Sequence, residues 1–151
     1  MKLAEALIER ADLKKQLAQL AERMRVNAKV QEGDEPAESV DSIIDTYESL
    51  MERLENLIIR INRTNAMVLM DDTPIADAIA NRDCLKSRLR VYKDLHNAAS
   101  TQQERYARNE IRFVRCINPK TVQQKIDELA KAYRVLDTKI QTANWNTELM
   151  E

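Results

Sequence analysis

The apolar residues of the chain recur along four long runs at alternating spacings of three and four, the period of amphipathic helices packed on a narrow seam. Over residues 2–28 the repeating positions are Leu3, Ala6, Arg10, Leu13, Leu17, Leu20 and Met24, a seam with one charged layer. The stretch Gln31-Glu32-Gly33-Asp34-Glu35-Pro36 then holds the only glycine, and predicts a turn that folds a second helix back on the first. That helix, predicted over 39–64, has the cleanest pattern: Val40, Ile44, Tyr47, Met51, Leu54, Ile58 and Ile61, then Asn65. Ile43, Leu50 and Leu57 form a second stripe beside it, a width suited to contact with more than one neighbour.

From Asn65 to Asp72 the helical period is lost, as in a loop or a short strand. Thr73-Pro74 supplies a capping hydroxyl and then a proline for the first helical position, where its missing N–H costs nothing. It predicts a third helix with the seam Ile75, Ala78, Arg82, Leu85, Leu89, Tyr92, His96 and Ala99. Residues 111–117 alternate apolar with basic over part of their length, the pattern of a half-buried strand that could pair with 66–70. Asn118-Pro119 repeats the cap-then-proline signal and opens a fourth helix on Val122, Ile126, Leu129, Tyr133, Leu136, Ile140 and Ala143. The predicted fold is all-α in one domain over 1–151. Four long antiparallel helices form a coiled-coil-like bundle, with a short two-stranded β element at about 66–70 and 111–117.

Composition narrows the function classes. The one glycine, Gly33, lies in an acidic turn, which leaves no glycine-rich loop to cradle phosphates. A single histidine, His96, cannot furnish the paired Glu-x-x-His motifs of a di-metal bundle, and it is far in sequence from both cysteines, so nucleophilic catalysis has no visible constellation. No cofactor or metal is expected, and the chain reads as non-catalytic. Cys84 and Cys116 read as reduced thiols and small core fillers in a cytoplasmic protein. Glu5, Glu9 and Arg10 stand where an export signal would need an apolar stretch, and the longest apolar run, Ala66 to Met70, is far too short to span a membrane.

Net charge is −1, but it is unevenly spread. Residues 31–57 hold nine acids and one base, a balance of −8, whereas residues 81–115 hold nine bases and four acids, a balance of +5. Such blocks suit contact with each other within the fold or between subunits; a nucleic acid or small anionic ligand on 82–115 is the alternative partner. The polar residues in or beside the seams are the candidate site: Arg10, Asn62, Arg63, Asn65, Arg82 and Asp83, with Arg105, Arg108, Glu110 and Arg112 beyond. An arginine in a seam needs an acid, a carbonyl or solvent, so these residues form either a polar layer fixing helix register or an anion pocket.

Leu3-Ala4-Glu5-Ala6-Leu7 running into Arg10-Ala11-Asp12-Leu13 is the first of several ordered elements. Ile61-Asn62-Arg63-Thr64-Asn65, Arg82-Asp83, Arg105-Tyr106-x-Arg108-x-Glu110-Ile111 and Leu136-Asp137-x-x-Ile140-Gln141-x-x-Asn144-Trp145 follow. In this order they resemble an uncharacterised bacterial helical family, some of whose members are named septicolysin. The resemblance spans nearly the whole chain and brings no catalytic residues. It implies a helical homo-oligomer, with a hexamer as one form of assembly, and its cytolytic name implies a membrane activity that these residues do not support. Relatives tend to carry a glycine-containing hairpin turn where this chain has Asp71-Asp72.

Overall fold

The computed structural model describes residues 1–100 and 111–151. The fold is all-α with one small β element: α1 (Leu3–Asn27), α2 (Val40–Met67), β1 (Leu69–Met70), β2 (Thr73–Pro74), α3 (Ile75–Ser100) and α4 (Pro119–Asn146). The chain divides into two compact units, Met1–Ile75 with Gln141–Glu151, and Ala76–Ile140.

In the first unit α1 and α2 form an antiparallel hairpin, with Glu9 opposite Arg53 and Arg23 opposite Glu38. The predicted α1 seam is the buried one: Leu3, Ala6, Leu13, Leu17 and Leu20 are inside, and Arg10 and Met24 are half-buried. On α2 the buried face draws on both predicted stripes. Ile43, Leu54, Leu57, Ile61 and Thr64 are buried, while Met51 and Ile58 are half-buried and Ile44 is exposed. The two stripes adjoin along the helix, and spacing alone could not show that the buried face runs between them. A row ending in Thr64 can go inside because the hydroxyl donates to the Arg60 carbonyl at 2.8 Å and leaves no unpaired donor.

The loop end of this hairpin is held by Asn27, the next seam position of α1. Its side-chain amide donates to the Arg23 carbonyl at 2.9 Å, and its oxygen accepts from the Glu38 N–H at 3.2 Å. Arg23 adds a 2.9 Å hydrogen bond from Nε to the Glu38 carboxylate. Gly33 turns the chain between the helices at φ +92°, in a turn closed by Asp34 N–H donating to the Gln31 carbonyl at 3.0 Å, and that left-handed position favours glycine.

The β element exists, but its partner differs from the predicted one. Leu69–Met70 pairs with Thr73–Pro74 in an antiparallel hairpin, not with 111–117. Asp71 and Asp72 stand at φ 49° and 63°, the two positive values of the tight hairpin turn whose twist matches that of the strands. Aspartate enters this region at modest cost, so the turn forms here without glycine. Consequently Thr73-Pro74 belongs to the strand and α3 begins one residue later, with the Ile75 N–H donating to the Val68 carbonyl at 3.0 Å. Residues 111–115 form no strand: Ile111, Phe113 and Val114 are exposed, because alternation alone supplies no edge to pair with.

The second unit takes most of α3 and α4. Ala78, Val122, Ile126, Leu129 and Ile140 are buried, and Leu85, Leu89, Tyr92, His96 and Tyr133 are half-buried on the predicted seams. Asn118 and Pro119 open α4 as expected, the Asn118 oxygen accepting from the Lys120 N–H at 3.0 Å with proline at the first helical position. Cys84 and Cys116 are both exposed rather than core fillers; Cys84 falls between the seam positions 82 and 85, and Cys116 follows the irregular 111–115 stretch.

Replacing Leu54 with Asp is expected to destabilise the protein by more than about 3 kcal/mol, since the charge enters the α1/α2 seam unpaired. Half-buried Met51→Asp should cost clearly less in the same chemical denaturation experiment. Equal losses would show that the two rows of α2 are equally enclosed.

Candidate functional site

The densest polar arrangement in the first unit lies where the end of α2 meets the C-terminal segment. Arg60, Arg63 and Thr64 recur at helical spacings of three and four, so one turn of α2 presents all three toward that segment. Thr64 is fully buried, and its oxygen, besides donating to Arg60, accepts from the Met150 N–H at 3.0 Å. Arg60 Nε donates to the Met150 carbonyl at 3.0 Å, and Arg63 Nη1 donates to the Glu151 carbonyl. The same segment pairs with the start of the chain through an antiparallel bridge between Lys2 and Glu148. There the Leu3 N–H donates to the Thr147 carbonyl and the Leu149 N–H to the Met1 carbonyl, both at 2.9 Å. Lys2 Nζ lies 2.6 Å from the Glu148 carboxylate, and this hydrogen bond helps hold the carboxyl below the usual glutamate pKa.

Two amide oxygens on this unit, those of Asn65 and Asn144, are buried and find no hydrogen-bond donor among the described residues. An unsatisfied acceptor at such depth calls for a water or a donor group. The chemistry these groups offer is hydrogen bonding to backbone and amide groups.

Farther along the hairpin, Arg53 Nε donates to the Glu9 carboxylate at 2.8 Å. The pair separates two shallow grooves. One, of about 340 Å³, is lined by Glu5, Ile8, Asp12 and Gln16; the other, of about 400 Å³, by Ser49, Asn56, Leu57 and Arg60. Neither gathers convergent polar groups around an enclosed apolar space, as a small-molecule site does.

In the second unit Arg82 is the organised residue. Its guanidinium donates to Asp83 at 2.9 Å and to Asp137 on α4 at 3.2 Å. Partial burial alone would lower its pKa, but the hydrogen bonds and charges of the two aspartates outweigh that, and the pKa is held above the ordinary arginine value.

Residues 10–149 match the family of unknown function DUF6847. The chain belongs to that family. A solved structure described as the crystal structure of a functionally unknown conserved protein from Corynebacterium diphtheriae is 40% identical, with a TM-score of 0.93 over 99% of each chain. No curated protein matches the sequence.

In this DUF6847 chain the described candidate residues named from sequence fall in both units, and each unit is taken by itself. Asn62 and Arg63 are exposed and Asn65 half-buried at the end of α2. Arg10 is half-buried on α1, next to Glu9, whose partner Arg53 stands about 13 Å along α2 from Asn62 at 1.5 Å per residue. Arg82 and Asp83 are in contact with each other, and Arg112 is exposed on the irregular stretch before α4. Arg105, Arg108 and Glu110 lie outside the described residues. Sequence reasoning missed Arg60 and Thr64 as a clamp on the C-terminal segment. The available signal was the i, i+4 pair of an arginine and a seam-row threonine directly before Asn65.

Among the described residues no cluster of three or more potential metal ligands occurs, and no helix is long and apolar enough to cross a membrane.

Thr64→Val removes the acceptor for the Met150 N–H while keeping the shape of the side chain. It is expected to lower stability by about 1–3 kcal/mol, the cost of leaving a buried donor unpaired. Arg63→Ala, at an exposed position, should cost less than about 1 kcal/mol. Chemical denaturation of both variants checks the order, and a neutral Thr64→Val would show that the C-terminal segment does not depend on it.

Proposed function

We propose that this protein is a non-catalytic, self-assembling helical interaction protein of the cytoplasm. The observation that carries the reading is the number of large apolar side chains left exposed on regular helices: Ile8 on α1, Ile44 and Ile59 on α2, Val91 and Leu95 on α3, and Val135 on α4. Single exposed apolar residues are ordinary, but their recurrence on all four helices, with Val91 and Leu95 one turn apart on α3, suits surfaces that meet other surfaces. The two exposed, unpaired thiols are at home in a reducing compartment.

A binding role for the basic segment is the second reading, favoured by Lys86, Arg90 and Lys93, which are exposed at spacings of four and three on α3. Salt-dependent retention on immobilised nucleic acid or polyphosphate would promote it. The membrane-active role implied by the septicolysin resemblance is disfavoured, and leakage of liposomes on adding the protein would bring it back.

Light scattering coupled to size exclusion at micromolar concentration tests the principal reading. A mass of two or more times 17.5 kDa is expected. A single species at 17.5 kDa across that range would overturn it.

A further inference from the structure

Beyond its seam, α2 presents two further rows. Ile44, 40% exposed, continues through half-buried Met51 and Ile58 at seven-residue intervals. Beside this row run Asp41, Asp45, Glu48, Glu52 and Glu55, spaced four, three, four and three, all exposed. None of the five is in an ion pair among the described residues, and α2's own bases are engaged elsewhere: Arg53 with Glu9, Arg60 with the Met150 carbonyl, Arg63 with the Glu151 carbonyl. Carboxylates three and four residues apart on one helix repel each other. The row is thus an unrelieved line of negative charge along an apolar edge.

The outer side of α3 carries the complementary pattern. Cys84, Arg88, Val91 and Leu95 recur at spacings of four, three and four, off the seam of 82, 85, 89 and 92. Val91 is 60% and Leu95 40% exposed, and Cys84 and Arg88 are exposed as well. Arg88 is in no ion pair among the described residues.

Resting on the self-assembly reading, we propose that the Cys84–Arg88–Val91–Leu95 stripe of one copy docks on the Ile44–Met51–Ile58 row of a second copy, with Arg88 set against Glu48 and Glu52. The occupant is a second copy because this chain carries both halves of the match in one period: a heptad-spaced apolar row edged with acids, and a heptad-spaced apolar row bearing a base. Like-with-like pairing is disfavoured. α2 on α2 would oppose two rows of carboxylates, and α3 on α3 would oppose two arginines within an apolar contact. The contact is therefore heterologous, using a different face of each copy.

Reciprocal charge reversal tests this, with circular dichroism confirming that the exposed substitutions leave the helices intact. Glu48→Lys with Glu52→Lys, and separately Arg88→Glu, are each expected to weaken self-association at least about tenfold, and an equimolar mixture of the two proteins should regain association. In a second experiment on the Cys116→Ser background, bismaleimidoethane should link two copies only when Cys84 and Glu48→Cys are both present. A wild-type protein that assembles while both reversed variants assemble equally well would overturn this interface and leave the self-assembly reading standing. Crosslinking through Cys84 alone would overturn it in favour of α3 on α3. A monomeric wild type would overturn the interface together with the reading on which it rests.

Discussion

An apolar seam between two antiparallel helices protects its contents only if water is kept out at both ends, and the α1/α2 hairpin depends on that. At the loop end Asn27 does this by bonding backbone on either side of the turn. At the other end the seam row of α2 finishes in Thr64, whose hydroxyl is shared between the Arg60 carbonyl and the Met150 N–H. The extended segment after α4 lies there against the first residues of the chain, and Leu3 and Leu149 are buried beside it. Polar side chains at the two ends are thus what allows the leucines and isoleucines between them to stay dry.

Much of the fold was legible because it is periodic. The predicted seams are the buried or half-buried rows of the structure, Ile44 excepted, and capping asparagine followed by proline placed the start of α4. The failures have a common cause. Where two apolar rows ran side by side on α2, spacing gave no ranking. Where a segment was short, as at 66–74 and 111–117, alternation could not identify its partner. The Asp71-Asp72 turn forms because aspartate tolerates left-handed backbone, a residue-level property that outweighed the missing glycine.

The candidate site was legible in part. Arg82 stood out as a charge in a seam, and its acid, Asp137, lies on the neighbouring helix. The clamp at the end of α2 was not readable, because Arg60 and Arg63 bond backbone carbonyls, which every residue possesses and no sequence pattern marks. Cysteines misled for a different reason: their usual burial is a preference of residue type, and Cys84 sits one position off the seam, where the helix turns it outward.

Native-state hydrogen exchange tests the sealing of the seam most directly. The amides of Leu3, Leu149 and Met150 are expected to exchange only through the same global opening as the amide of Ile61, one turn before Thr64 in the buried row, with equal free energies and equal dependence on denaturant. Rapid exchange at Leu149 and Met150 while Ile61 stays protected would contradict it, since the seam would then remain closed without its seal.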